Sequence, residues 1–172
     1  MRKPVLVFSL IMSMVFGAFV LDCGPVPLQN SETIVRRVRV DRSLTPQQVL
    51  DATGRSQYTI KSMVVESMPR GEGDEKDVYF FKLDRYATDD EIEQELALRG
   101  FKPADLYSLA QVNIDDPSFP ETHPNATHWK DGLERWCFAA FGRWEGRRDV
   151  NLDRDDSQWD DYWWFAGIRK SR

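Results

Sequence analysis

The chain has 172 residues, with 28 acidic side chains against 23 Lys and Arg side chains. This length suits one domain with a targeting segment, and a body of roughly 140 residues can bury a sufficient core without disulfides or metals. The net charge of −5 repels phosphate backbones, so nucleic acid is not expected as a partner.

The N-terminus has the pattern of a secretory signal. Two cations, Arg2 and Lys3, precede an uncharged and mostly apolar run over residues 5–21, as in the charged and apolar parts of an export signal. We therefore expect residues 1–22 to form an apolar leader, either a signal peptide or a membrane anchor.

The leader sets the expected domain organisation and location. Residues 23–33, rich in Pro and Gly, are predicted to be a linker, and residues 34–172 a single domain. A functional leader predicts an exported or membrane-tethered protein, with membrane contact through the leader alone. A cytoplasmic protein is the alternative, and Asp22 disfavours lipid attachment at Cys23.

The first part of the domain alternates between strand and helix signals. Valines alternate with arginines over residues 34–41, which predicts a half-buried strand. Thr45 and Gln48 have the spacing of a capping box, so a helix is expected from there to Gly54. Residues 58–65 read as a strand, with a helix left open.

The middle of the chain predicts one more strand and two more helices. Residues 78–83 are rich in aromatic residues and favour a strand. Thr88 and Glu91 form a second capping-box pattern, with a helix ending at Gly100. A third helix is expected from Pro103 to about Asn113.

The last third of the chain predicts an antiparallel meander. Strand signals over 128–130 and 133–141 flank an Asp-Gly hairpin turn, and further strands are expected at 147–152 and 163–168. The last of these is apolar almost throughout, so we expect it to lie centrally in the sheet.

All six tryptophans lie between Trp129 and Trp164, which places much of the expected core in this meander. The predicted fold is a single α+β domain. Its antiparallel sheet has about five strands, three short helices pack on one face, and the C-terminal meander is Trp-rich.

The C-terminal third also combines carboxylates with aromatic rings, the composition of a carbohydrate cleft. The same composition suits a solvated rim over an aromatic core. The candidate binding residues are Trp144, Trp159, Tyr162, Asp153, Asp155 and His128.

No catalytic residue, metal site or cofactor is assigned from the sequence. Oxygen-bearing residues alternate over 149–160 as in a calcium loop, but Arg154 stands where such a loop needs glycine. The two histidines and Cys137 lack the spacing of a zinc site. Glycine-rich phosphate loops and nucleophile elbows are also missing from the sequence.

Three blocks of sequence carry a family resemblance: residues 45–55, residues 80–83 with 99–104, and residues 159–170. Together they resemble a family of small uncharacterised bacterial and phage-linked proteins. In the family's closing strand, an aromatic residue is followed directly by alanine, and the strand ends with Arg169 and Lys170. The resemblance spans most of the domain and implies no activity.

A non-catalytic binding or accessory module, with a protein as the possible partner, is therefore the leading functional hypothesis. A glycosidase-like hydrolase is the first alternative, with Asp153, Asp155, Asp160 or His128 as acid and base. An immunity-protein or antitoxin-like role is the second, and it rests on the acidic charge and the phage-linked resemblance. The sequence leans against an enzyme without deciding the question.

Overall fold

The computed structural model of the protein describes residues 32–154 and 158–170, which form one sheet flanked by helices. The strands are β1 (Thr33–Arg39), β2 (Ser56–Ile60), β3 (Glu75–Lys82), β4 (Phe101–Pro103), β5 (Asn125–Lys130), β6 (Trp136–Trp144), β7 (Arg147–Asp153) and β8 (Trp164–Arg169). The helices are α1 (Pro46–Ala52), α2 (Ser62–Glu66), α3 (Asp89–Leu98), α4 (Leu106–Asp115) and α5 (Phe119–Thr122).

The sheet is larger than expected, and it is mixed. Seven strands follow the order β1-β3-β8-β5-β6-β7-β2, and β4 pairs with β8 beside β5. The pairs β5–β8 and β2–β7 are parallel, so the prediction of about five antiparallel strands is wrong. The short β4 escaped the sequence analysis because three residues that include Pro103 carry little strand signal.

The predicted meander holds only for its first part. Strands β5, β6 and β7 are consecutive antiparallel neighbours, but β8 pairs with β3 and β5 instead of with β7. An apolar strand needs cover on both faces, and at the centre of this sheet helices on both sides provide it. The chain after β7 therefore returns to the middle of the sheet.

Helices cover both faces of the sheet, so the prediction of three helices on one face is also wrong. One core contains Leu50 of α1, Val64 of α2 and Leu109 of α4. The opposite core contains Ile92 and Leu96 of α3. Strand β8 contributes side chains to both cores, because alternate side chains of a strand point to opposite faces.

Two helices begin and end at their predicted signals. Both Thr45 and Thr88 form complete capping boxes at the starts of α1 and α3. Gly54 and Gly100 follow the ends of these helices with positive φ angles of 62° and 77°, a conformation that glycine adopts without steric cost. These two predictions are confirmed.

Two other segments differ from their predicted structure. The segment predicted as a strand with a helical alternative contains both, because β2 ends before α2 begins. Helix α4 begins at Leu106, later than predicted, because Pro103 belongs to β4 and Asp105 caps the helix by accepting from the Ser108 N–H at 2.9 Å.

The predicted leader and most of the predicted linker lie outside the described residues. Among the helices of the described part, none combines the length and the apolar character needed to cross a membrane.

Candidate functional site

Aromatic residues surround a cavity of about 440 Å³ on the sheet face that carries α3. Strands β6 and β7 form its floor, and residues 158–163 form one wall. We call it the tryptophan cavity. Its aromatic lining is Tyr58, Phe138, Trp144, Trp159, Tyr162 and Trp163.

The inner rings of this cavity are held by packing and by backbone hydrogen bonds. Trp159 packs edge-to-face on Phe138 and on Trp163, with ring centroids 5.2 and 5.5 Å apart. Its backbone forms a two-way bridge with Ala87, with N···O distances of 2.8 and 3.1 Å. Trp159 and Trp163 are buried, so the deep part of the cavity is preformed.

The mouth of the cavity carries exposed rings. The side chains of Tyr58 and Tyr162 are 69% and 44% exposed, and Trp144 lies between exposed and buried. Partial burial and the neighbouring Asp160 carboxylate raise the pKa of Tyr162, so its hydroxyl stays protonated at neutral pH and can donate a hydrogen bond.

A tight hairpin turn places charge at the rim. Glu145 and Gly146 connect β6 to β7 with φ angles of 48° and 82°, the backbone of a two-residue turn with both residues left-handed. This turn brings Glu145 and Arg147 to the cavity, and Asp160 reaches it from the opposite wall.

Asn151 supplies an unused acceptor in the lining. Its side-chain Oδ1 is buried and has no hydrogen-bond partner among the described residues. A buried amide oxygen without a partner costs free energy, so this position favours a ligand or water that donates a hydrogen bond.

The structure brings together three of the six residues predicted to bind. Trp144, Trp159 and Tyr162 all line the tryptophan cavity. Asp153 forms an ion pair with Lys61 and does not line it, and Asp155 lies outside the described residues.

His128 occupies a different place, where it is buried beside α3. Its Nδ1 lies 2.6 Å from Asp89 Oδ1, and its ring stacks on Trp136 with centroids 4.8 Å apart. The same Asp89 oxygen accepts a hydrogen bond of 3.0 Å from Trp159 Nε1. Asp89 therefore joins His128 to a wall of the tryptophan cavity.

A second carboxylate faces the other ring nitrogen of His128. Glu93 Oε1 lies 3.5 Å from Nε2, which is an ion-pair distance but long for a hydrogen bond. Burial alone would lower the pKa of His128, but the interactions with Asp89 and Glu93 outweigh it and raise the pKa. The imidazole is therefore charged over a wider pH range than an ordinary histidine.

The sequence analysis missed the roles of Asp89, Glu93 and Asn151. Asp89 falls within the helix predicted between Thr88 and Gly100, which gives it no separate role, and its partners lie far away in the chain. Asn151 falls within the strand predicted over residues 147–152, which gives it no separate role either. The four-residue spacing of Asp89 and Glu93, which places them on one face of a helix, was the available signal.

Within the described residues, no three His, Cys, Asp or Glu side chains lie close enough to hold a metal ion. The chain matches no protein-family model, no curated protein and no solved structure, so the family resemblance stays a prediction.

Proposed function

We propose that the protein is a non-catalytic binding module that holds a neutral carbohydrate in the tryptophan cavity. The observation that carries the proposal is the Oδ1 of Asn151, which lies in a preformed aromatic cavity and has no hydrogen-bond partner among the described residues. The volume of about 440 Å³ lies within the usual range of small-molecule sites, about 300–1,000 Å³.

The aromatic walls suit a ligand with a flat apolar face. Ring faces at the mouth, on Tyr58 and Tyr162, are open to solvent, while the deeper rings are fixed. The C–H face of a sugar ring can pack on such surfaces and bury apolar area.

The polar lining suits a ligand rich in hydroxyl groups. Glu145 and Asp160 line the cavity, and ionised carboxylates only accept hydrogen bonds. Asn151 Oδ1 adds another acceptor. Sugar hydroxyls can donate to all three groups, and Arg147 and the Tyr162 hydroxyl can donate to sugar oxygens.

A binding role is favoured over the hydrolase alternative by the positions of the candidate acids and bases. His128 and Asp153 lie outside the cavity lining, and among the described residues Asp160 is the only one of the four candidates that lines it. Glycoside hydrolysis needs two carboxyl groups that flank the same bond, one of them kept protonated by an apolar environment. The second carboxylate of the lining, Glu145, is exposed on the hairpin turn and lacks that environment.

The proposal is tested by isothermal titration of the full chain with cellobiose, maltose and N,N′-diacetylchitobiose. We expect saturable binding of at least one of them. Because a lost acceptor or stacking surface costs about 1–3 kcal/mol, N151A and Y162A should each weaken it by about tenfold or more.

The matched control is Y86A, which removes an exposed tyrosine outside the cavity lining and should leave binding unchanged. Absence of binding by all three sugars would overturn the proposal. So would tight binding of choline in their place, which would indicate an aromatic cage for a cation. Release of monosaccharides during the titration would refute the non-catalytic part.

A further inference from the structure

A second cavity, of about 490 Å³, lies beside His128 and is distinct from the tryptophan cavity. Strands β4 and β5 pair with successive parts of the same edge of β8: β4 with residues 167–169 and β5 with 164–165. The cavity lies between β4 and the end of β5, and His128, Lys102 and Lys130 line it. We call it the lysine cavity.

Cationic side chains dominate this lining although the whole chain is acidic. The cations are Lys76, Lys102, Lys130 and Arg169, and the acids are Glu72, Glu93 and Asp105. Asp105 is already neutralised by Arg42, whose Nη1 lies 2.8 Å from its Oδ1. Positive charge is therefore in local excess.

Two lysines of the lining form no ion pair. Lys76 and Lys102 have no carboxylate within ion-pair distance in the part of the chain that the structure describes. Lys130 instead places its Nζ 4.6 Å from the ring centroid of Trp136. That ring also stacks on His128, so Trp136 contacts both this ammonium group and the imidazole.

His128 supplies a buried polar atom whose one nearby group among the described residues is the Glu93 carboxylate, at ion-pair distance. Its side chain is 2% exposed, and Nε2 has no hydrogen-bond partner within the described residues. The opposite nitrogen, Nδ1, is occupied by Asp89. Nε2 lies nearest to Glu93, which lines the cavity too.

We propose that the lysine cavity binds the phosphate group of a small molecule, with one phosphate oxygen accepting from His128 Nε2 and another facing Lys130. Lys102 pairs with Ile168 and adds positive charge to the cavity from the opposite face of the sheet. A phosphate monoester carries up to two negative charges and several acceptor oxygens, so it can serve several separate donors. Lysine binds phosphate as a point charge, without the planar geometry that arginine requires. The acidic net charge does not prevent this, because a local field dominates within about one Debye length.

Glu93 competes with such a ligand for the space next to His128 Nε2. Its carboxylate lies on the Nε2 side of His128 and would repel a phosphate there, so a bound phosphate requires Glu93 to move away. The Glu93 side chain is 41% exposed, which leaves it free to do so.

The test is a titration of the full chain with inorganic phosphate at constant ionic strength, followed by nuclear magnetic resonance of the histidine rings. The chain has only two histidines, and His123 lies outside the cavity lining. We expect phosphate to shift the Nε2 signal of His128 in a saturable way and to leave His123 unchanged.

Variants of the lining distinguish phosphate binding in this cavity from a nonspecific effect of the protein's surface charge. K102Q and K130Q should each weaken phosphate binding by about threefold or more, because each removes one positive charge near the ligand. E93Q should strengthen binding at a pH well below 6.5, the ordinary pKa of histidine, where the imidazole stays charged without Glu93. The control is K82Q, whose lysine pairs with Asp84 outside the cavity and whose loss should have no effect.

Four results would overturn the proposal: no shift of His128, equal shifts of both histidines, equal weakening by K82Q, or weaker binding in E93Q at that acidic pH. Acetate that binds as tightly as phosphate would overturn the assignment to phosphate. These outcomes are distinguishable from those of the sugar titration, because none of the described residues lines both cavities.

Discussion

Asp89 is a buried carboxylate, and one of its oxygens accepts hydrogen bonds from two distant parts of the chain. It lies at the start of α3 and accepts from His128 on β5 and from Trp159 before β8. A charged group at 4% exposure is stable only when it is paired and hydrogen-bonded. The Asp89–His128 pair therefore stabilises the contact between α3 and the sheet.

Replacement of Asp89 should be costly, because it leaves a buried imidazole and an indole N–H without their acceptor. We expect D89A to lower the free energy of unfolding by about 3–5 kcal/mol at pH 6, measured by urea denaturation. D90A is the matched control, since it removes an exposed acid from the same helical turn and should have a much smaller effect. Equal effects of the two variants would contradict the buried pair.

The cost of D89A should depend on pH in a defined direction. The pKa of His128 is raised above its ordinary value of 6.5, so the stabilisation from its charged form is complete below that value. It is lost as the pH rises through the folded-state pKa. The difference between wild type and D89A should therefore shrink toward alkaline pH, and a difference that grows would refute this sign.

At the scale of elements, β8 approaches α3 and β4 closely at Gly167. A Cβ atom added there would lie 2.7 Å from Leu96 Cδ2 and 3.1 Å from Phe101 Cβ. Both neighbours are buried, so neither can move without disturbing the core. The glycine permits the three elements to pack, although its own backbone is an ordinary strand.

G167A should therefore destabilise the protein by about 1–3 kcal/mol through overpacking. G132A is its control: it adds the same methyl group in a turn with no atom within 4 Å and should leave stability nearly unchanged. Chemical denaturation of the two variants under one set of conditions makes the comparison, and an unchanged midpoint for G167A would show that the contact relaxes freely.

At the scale of elements, the predicted helix caps were correct, and the predicted pairing of the strands was wrong. Thr88 and Glu91 bond to each other within one turn, so residues three apart contain the whole signal. The position of β8 depends on strands that lie some 40 and 80 residues earlier in the chain. No local pattern specifies which of them become its neighbours.

At the scale of the molecule, two aromatic cores share one sheet. Trp129 and Trp164 belong to the core beneath α4, and Trp159 and Trp163 belong to the core beneath α3. Strand β8 contributes Ala166 to the first and Phe165 to the second. Loss of either core would expose the central strand to water.

We therefore expect the described domain to unfold in one cooperative step. Tryptophan fluorescence and far-ultraviolet circular dichroism should give coincident urea transitions, which is the usual test of two-state behaviour. A separate fluorescence transition at lower urea would contradict this expectation, because it would show that one core melts while the sheet persists.

The sequence by itself determined the features that arise from neighbouring residues: the capped ends of α1 and α3, most strand segments and the gathering of aromatic residues near the C-terminus. It also selected Trp144, Trp159 and Tyr162, because all three lie within one short stretch of chain. Only the tertiary structure decided the mixed strand order, the second core and the contact of His128 with Asp89. These depend on packing between segments far apart in sequence, where burial and charge pairing outweigh local preference.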